Sequence, residues 1–178
     1  MPPPPLPGHS IDPTGEFPLG APEYLFYLLF QAARQRDLRF DRALAGIGLN
    51  VHGWRTLAII RRIENCAMKD LALYSAVDLT TLTRVVDQLV AQGLVQRWST
   101  PRDRRRVNLM LSEAGEAAYR AALAALLSGN QDLLAGVTEG QTRAAARVLA
   151  QVIRNLMEQP LEAEKLLAYG WPTGKPQA

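Results

Sequence analysis

Apolar residues recur along the chain at the three- and four-residue spacing of helices, beginning near the N-terminus. Residues 22–44 predict a first helix, since Pro22 suits the first helical position. The apolar residues of its first half cover more than one helical face; they are Leu25, Phe26, Leu28, Leu29, Phe30, Ala32 and Ala33. One core cannot bury so broad a surface, and the pattern therefore favours packing against a second chain as well.

Three shorter helices are predicted in the middle of the chain, at residues 51–62, 69–75 and 79–92. A tight turn over residues 75–78 separates the second of them from the third. The third has the clearest pattern, because its apolar residues repeat along one face; they are Leu82, Val85, Val86 and Leu89.

Asp78 is a suitable N-cap for that third helix, and Gly93 suits the position just after its end. Two short strands, residues 94–98 and 107–111, follow directly. The segment between them contains Pro101 and a dense arginine cluster, which is typical of a β-hairpin with a charged tip.

The last part of the chain again predicts helices, at residues 113–134, 138–158 and 160–169. Thr138 and Gln141 form a capping-box pattern at the start of the second. A short helix, a tight turn, a second helix and a hairpin together make the plan of a winged helix-turn-helix. We therefore expect a mainly α fold with a small β-hairpin wing, in which a winged helix-turn-helix is joined to a helical dimerisation domain.

Composition and patterning divide the chain into five segments. Residues 1–20 hold seven of the twelve prolines and predict a disordered, proline-rich arm. Residues 21–48 form the predicted N-terminal dimerisation helix, and residues 49–111 the predicted winged helix-turn-helix. Residues 112–170 are the predicted C-terminal dimerisation helices, and residues 171–178 a flexible tail.

Several classes of protein are disfavoured by composition. No apolar run reaches the roughly 20 residues that span a bilayer, and the proline-rich N-terminus does not resemble a signal peptide, so we expect a cytoplasmic protein without a membrane partner. Two histidines and one cysteine leave few groups for acid–base catalysis or a metal site. Gly46 and Gly48 lack the rest of a dinucleotide fingerprint. We expect no enzyme activity, no catalytic residues, no metal and no cofactor.

Positive charge is concentrated in the predicted winged module. Residues 51–111 contain ten Lys and Arg against five Asp and Glu, whereas the rest of the chain has ten against twelve. This distribution suits a polyanion-binding module on a neutral scaffold, although a solvated basic face would show it too.

The polar face of the helix at residues 79–92 carries the residues expected to contact DNA in the major groove: Thr80, Thr81, Thr83, Arg84 and Gln88. Short hydroxyls can reach phosphates or base edges, and the fork of Arg84 can bind guanine or a phosphate. Asp87 would repel phosphate, so it either orients an arginine or accepts from a cytosine amine. The same face could also be an ordinary solvated one.

The hairpin tip gives a sharper signal. Arg102, Arg104, Arg105 and Arg106 surround the single acid Asp103. This density of like charge repels itself unless a polyanion or counterions are present. A narrow minor groove attracts arginine, and Asp103 could pair with Arg105 and hold the tip in shape.

The chain resembles MarR-type regulators over roughly residues 23–157, most specifically over residues 78–115. Residues 78–97 look like that family's recognition helix and wing entry, and residues 101–107 like its Asp-x-Arg wing signature. The resemblance implies a homodimer with intertwined terminal helices on a pseudo-palindromic duplex site. It implies that the four residues Thr80, Thr81, Thr83 and Arg84 enter the major groove. It also implies that Arg105 enters the minor groove, steadied by Asp103.

Members of that family are often repressors released by small aromatic or phenolic acids, and the resemblance implies such an acid, or its thioester, as the effector. Candidate ligand-binding residues are Phe26, Phe30, Arg39, His52 and Trp54. Trp54 is more often a core residue in this register, and His52 suits a capping or solvent-facing role equally well.

Two alternatives remain open. Cys66 has Arg61, Arg62 and Lys69 near it in sequence and could be the switch of a redox-responsive repressor, although a buried structural thiol is the default interpretation. The winged helix could also serve protein–protein contact without binding DNA, but an arginine-rich wing would then need an acidic partner surface.

Overall fold

The computed structural model describes four stretches of the chain: residues 21–63, 65–100, 103–129 and 132–170. The predicted arm at residues 1–20 and tail at residues 171–178 lie outside this part. By its internal contacts the chain divides into two units, one ending at Arg39 and one beginning at Phe40. This boundary lies inside the first helix, whereas residues 21–48 were predicted to form one segment.

Helix α1 spans Ala21–Leu44, which confirms the first predicted helix. Within the first unit, seven consecutive large apolar or aromatic residues, from Tyr24 to Phe30, are 37% to 66% exposed. The rings of Tyr24 and Tyr27 stack on each other with centroids 6.3 Å apart. Large apolar residues therefore lie exposed all around this part of α1 in the single chain.

The second unit is built on three helices, α2 (Val51–Arg62), α3 (Met68–Ser75) and α4 (Leu79–Ala91). A short 3-10 turn, Ala45–Ile47, leads into them from the end of α1. The helices close around one core because each turns its apolar stripe inward; its most deeply buried side chains include Leu44, Leu57, Leu71, Leu82, Val86 and Leu109.

A three-stranded antiparallel sheet, in the order β1-β3-β2, follows the helices. Its strands are β1 (Cys66–Ala67), β2 (Val95–Thr100) and β3 (Asp103–Leu111). The predicted hairpin is confirmed, but both of its strands are longer than the sequence indicated. Strand β1 was not predicted, because two residues between helices show no alternation.

The described residues after the hairpin form three helices, α5 (Glu113–Gly129), α6 (Glu139–Leu156) and α7 (Pro160–Gly170). Thr138 and Gln141 form the predicted capping box of α6. The prediction of a helix over residues 113–134 was wrong at its end, since α5 ends at Gly129 and residues 132–136 form a turn. Glycine is a poor helix former, which explains the early end.

Helix α6 buries none of its residues, although it is strongly amphipathic. Together with α7 it borders an apolar groove of about 460 Å³ lined by Arg143, Ala146, Arg147, Leu149, Ala150, Ile153, Leu166 and Leu167. An ion pair between Arg154 and Glu164, with a shortest N–O distance of 2.6 Å, connects the two helices. In the described stretches, no helix has both the length and the apolarity needed to cross a membrane.

Candidate nucleic-acid interface

The turn between α3 and α4 sets the direction in which α4 leaves the core. Ala76 follows the last residue of α3 in a left-handed conformation, with φ at 52° and ψ at 32°. The amide of Val77 then donates to the hydroxyl of Ser75 at 3.3 Å. These two features reverse the chain within three residues, as a helix-turn-helix requires.

Asp78 caps α4 as the sequence predicted. Its carboxylate accepts from the backbone N–H of Thr81 at 2.9 Å. Hydrogen bonds from the Thr81 backbone and then from the Thr81 hydroxyl lower the pKa of the Asp78 carboxyl. The cap fixes where the helix begins, and so which side chains its first turn presents to solvent.

The three threonines of α4 are all exposed, but their hydroxyls differ in availability. The Thr83 hydroxyl donates to the carbonyl of Leu79 at 2.7 Å, and the Thr81 hydroxyl bonds the Asp78 carboxylate. The Thr80 hydroxyl has no partner among the residues that the structure describes. Thr80 can therefore donate to an incoming phosphate or base without breaking an internal bond, which Thr81 and Thr83 cannot.

Arg84 is exposed one turn after Thr80, on the same face of α4. No carboxylate pairs with it within the described stretches. It borders a shallow depression with Leu79, Thr80 and Thr83. The Arg84 guanidinium has no carboxylate partner among the described residues and lies beside threonine hydroxyls. Such a surface suits a nucleic acid, because phosphates carry negative charge and base edges carry hydrogen-bond acceptors.

Gln88 lies on another edge of α4. It lines a separate depression formed with the start of α2, where Asn50 and Gly53 are among the neighbours. The structure therefore does not group Gln88 with Thr80 and Arg84, although all three were predicted as DNA contacts.

Asp87 forms an ion pair with Arg97 of β2, at an N–O distance of 2.5 Å. From the sequence, Asp87 could either orient an arginine or accept from a base. In the structure its carboxylate binds the guanidinium of Arg97. Arg97 was not among the predicted site residues. The pair ties the outer face of α4 to the base of the hairpin. Its signal in the sequence was an acid on the polar face of a predicted helix.

The hairpin continues almost to its tip, where Thr100 pairs with Asp103. The sequence placed the arginine cluster in a loop between short strands, but Asp103, Arg104, Arg105 and Arg106 are part of β3. Arg102, also predicted as a DNA contact, lies outside the described residues. The register of β2 and β3 shifts between the pairs Trp98–Asn108 and Thr100–Asp103, so Arg104, Arg105 and Arg106 lie in an irregular part of the hairpin.

The end of the hairpin is locked to the end of α4. The Ser112 hydroxyl donates to the carbonyl of Gly93 at 2.6 Å and accepts from the amide of Gly115 at 3.0 Å. A Cβ atom at Gly115 would lie 2.0 Å from the carbonyl oxygen of Leu94. Helix α5 therefore starts in direct backbone contact with the segment that joins α4 to β2.

The residues proposed for a small ligand are divided between the two units. Phe26, Phe30 and Arg39 belong to the first unit, and all three lie on α1. His52 is an exposed residue at the start of α2 in the second unit. Trp54 is half-buried in the second unit, where its indole meets the Phe40 ring edge-on at 6.4 Å between centroids.

The buried indole N–H of Trp54 has no hydrogen-bond partner in the described part of the chain. Burial without an acceptor costs on the order of 1–3 kcal/mol. Trp54 is thus a core residue, as its place in the helical pattern predicted. Its indole N–H is also a donor that could bind an acceptor group.

Cys66 is fully buried in β1. Burial first, and then the nearby Asp70 carboxylate, raise the pKa of its thiol to about 12. Because the thiolate is the reactive form, these surroundings favour a structural thiol over a redox switch. Within the described residues, no three His, Cys, Asp or Glu side chains come together as a metal site.

Comparisons with known proteins point to one family. The MarR family model matches residues 49–107, which lie within the segment 49–111 predicted as the winged helix-turn-helix. The HTH-type transcriptional repressor IacR of Pseudomonas putida is 25% identical over 149 residues, covering 84% of this chain and 89% of IacR.

Solved structures share the fold. A point mutant of Escherichia coli MarR, crystallised with operator DNA, is 25% identical with a TM-score of 0.65, and the match covers 72% of this chain and 92% of that one. Bordetella bronchiseptica BpsR is 22% identical with a TM-score of 0.65, covering 72% of this chain and 98% of the other, and shows likeness of fold alone.

The matched segment contains α2 to α4 and most of the hairpin, which are the elements that present Thr80, Arg84 and the arginine cluster. The relatives named above are transcription regulators rather than enzymes. The fold, the exposed cationic face of α4 and these matches agree with one another. The chain belongs to the MarR family of DNA-binding transcription regulators.

Proposed function

We propose that this chain is a homodimeric repressor that binds a pseudo-palindromic operator in duplex DNA and is released by a small aromatic acid or its thioester. The observation that carries the proposal is the exposed Thr80–Arg84 face of α4 beside an arginine-rich β-hairpin. In this arrangement α4 enters the major groove and the hairpin reaches the adjacent minor groove. The likeness to IacR, which is named a transcriptional repressor, supports repression, and the proposed binding to operator DNA supports a cytoplasmic location.

The dimer is supported by apolar surface that the single chain leaves uncovered. The aromatic and aliphatic run at residues 24–30 of α1 is exposed, and the groove between α6 and α7 is lined mainly by alanine, leucine and isoleucine. Apolar patches of this kind on a protein mark surfaces that bind another chain. Two copies would also present two α4 helices, matching the two-fold symmetry of a palindromic site.

The aromatic effector is supported by Trp54. A carboxylate or phenol oxygen could accept from its unpaired indole N–H while an aromatic ring packed near Phe40. BpsR, which shares the fold, is regulated in its DNA binding by 6-hydroxynicotinic acid. This likeness concerns the fold, so the effector of the present chain is assigned only to the class of aromatic acids.

Replacing Arg105 by alanine tests the DNA-binding role of the hairpin. Duplexes that the protein binds are first selected from a random pool, and affinity is then measured across a salt series. Arg105→Ala should weaken binding by about 1–3 kcal/mol and reduce the slope of log K against log salt by about 1, because one phosphate-neutralising charge is lost. Lys165→Ala, which removes an exposed charge from α7, is the control and should leave both unchanged.

If Arg105→Ala bound with unaltered affinity and slope, the assignment of the hairpin to DNA would be wrong. If the unmodified protein bound no duplex even at low ionic strength, the winged module would instead be a protein-interaction surface.

A further inference from the structure

Leu79 is an exposed leucine on the helix face that meets DNA. It is 59% exposed in the first turn of α4, whereas Leu82, Val86 and Leu89 of the same helix are at most 2% exposed. Fully burying a leucine side chain contributes about 1.5–3 kcal/mol to folding stability, and the exposed Leu79 makes only a small part of that contribution. A threonine or serine would begin the helix equally well, so the folded chain alone does not explain the residue.

Helix capping does not explain Leu79 either. The apolar residue that packs back across an N-cap comes from the position just before the cap and from the fourth helical position. In α4 these are Val77, which packs on the core, and the buried Leu82. Leu79 lies outside this pair and points away from the core.

The immediate surroundings of Leu79 combine apolar and cationic character. It shares its shallow depression with Thr80, Thr83 and Arg84. The Thr83 hydroxyl is committed to the Leu79 carbonyl at 2.7 Å, so Thr83 offers its methyl group and a lone pair but no free donor. The depression therefore presents one free hydroxyl, one guanidinium and an apolar centre.

Duplex DNA offers one apolar group on the base edges of the major groove, the C5 methyl of thymine. Guanine offers O6 and N7 to an arginine fork in the same groove. Leu79 and Arg84 border the same depression and are separated by about 7.5 Å along the axis of α4. A thymine and a guanine within a few base pairs would thus fit this surface.

We infer that Leu79 is a specificity-determining residue that packs on the C5 methyl of a thymine in each half-site, near a guanine bound by Arg84. This rests on the proposed binding of α4 in the major groove. Contact with the methyl group would bury the leucine that the free protein leaves in water, which gives the duplex with thymine an advantage over one without it.

Uracil substitution tests this inference, because uracil differs from thymine only by the missing methyl group. In the duplex selected by the unmodified protein, each thymine is replaced in turn by uracil and the Kd is measured. The unmodified protein should lose about 3- to 5-fold in affinity at one thymine per half-site, the effect of one buried methyl group. Leu79→Ala removes the contact in both half-sites, so it should bind the thymine duplex about 10- to 25-fold more weakly and no longer respond to uracil at that position.

Two further variants separate the contact from a change in folding. Leu79→Met keeps an apolar side chain and should retain the response to uracil. Leu127→Ala truncates a leucine of α5 that is 60% exposed, and should keep the full response even if its overall affinity changes.

The outcomes distinguish the inference from the function on which it rests. Absence of binding by the unmodified protein would overturn the DNA-binding proposal itself. Binding in which Leu79→Ala keeps the uracil response, or in which no thymine methyl matters to the unmodified protein, would overturn the role of Leu79 and leave the proposed function intact.

Discussion

Ala76 shows how one residue can hold a functional turn in a conformation that costs free energy. Its φ of 52° lies in the left-handed region, which disfavours side chains with a Cβ atom by roughly 1–2 kcal/mol. The turn that directs α4 is therefore formed at some cost in stability.

Replacing Ala76 by glycine should stabilise the protein. We expect the free energy of unfolding to rise by about 0.5–1 kcal/mol, since relief of the left-handed strain outweighs the added entropy of the unfolded glycine. Chemical denaturation measures the change. Ala121→Gly, at an exposed position inside α5, is the matched control and should instead lose about 1 kcal/mol; a loss of the same size at Ala76 would contradict the strain argument.

The Cys66 thiol should be inert in the folded protein. With its pKa raised to about 12, very little thiolate exists at neutral or mildly alkaline pH. We expect maleimide labelling to be at least about 100-fold slower than in denaturant, and peroxide to leave DNA binding unchanged. Fast labelling of the native protein would support the redox alternative.

The raised pKa of Cys66 also makes stability depend on pH. Because folding favours the neutral thiol, this residue stabilises the fold below the unfolded thiol pKa of about 8.5. That contribution is lost as pH rises towards the folded pKa of about 12.

At the scale of elements, the junction of α4, the hairpin and α5 has almost no free space. Gly115 allows the start of α5 to approach the Leu94 carbonyl, and Ser112 bonds to both sides of the junction. Helices α4 and α5 are thereby held to each other through short contacts at backbone groups rather than through long side chains.

Adding a single methyl group at Gly115 should disrupt that junction. Gly115→Ala places a Cβ atom 2.0 Å from a backbone oxygen, so the chain must shift, and we expect a loss of at least about 1–3 kcal/mol in stability. Thermal and chemical unfolding provide the measurement. Gly140→Ala is the control, because its Cβ would meet nothing closer than 4.0 Å in α6. Equal stability of the two variants would show that the junction is looser than described.

Periodic elements were predictable from sequence, and contacts between elements were not. The stripe of α4, the Asp78 cap and the capping box at Thr138 are local signals, and each was confirmed. Strand β1 pairs with a strand about forty residues later, and the Asp87–Arg97 pair joins a helix to a strand; neither contact leaves a local pattern. The exposure of Leu79 could not be predicted either, because a leucine in a helix is ordinarily assigned to the core.

At the scale of the whole molecule, the exposed run of α1 predicts association. Phe30 is 66% exposed in the single chain, and Phe30→Glu would place a charge in the expected interface. We expect the dimer to weaken by at least about 10-fold, as measured by sedimentation. Gln35→Glu adds the same charge at an exposed polar position of α1 and should leave the dimer intact. A monomer for the unmodified protein at micromolar concentration would exclude the proposed homodimer.

Helix α7 packs against α3, the first helix of the helix-turn-helix. The Tyr169 ring lies 4.7 Å from that of Tyr74 in α3, and the Arg62 guanidinium stacks on its face at 4.8 Å. Ala163 of α7 is 1% exposed. Helix α3 is therefore stabilised by contacts with a segment nearly a hundred residues later in the chain. Proteolytic loss of α7 would expose the Tyr74 side chain to solvent. The backbone amides of α3 would then exchange faster with deuterium.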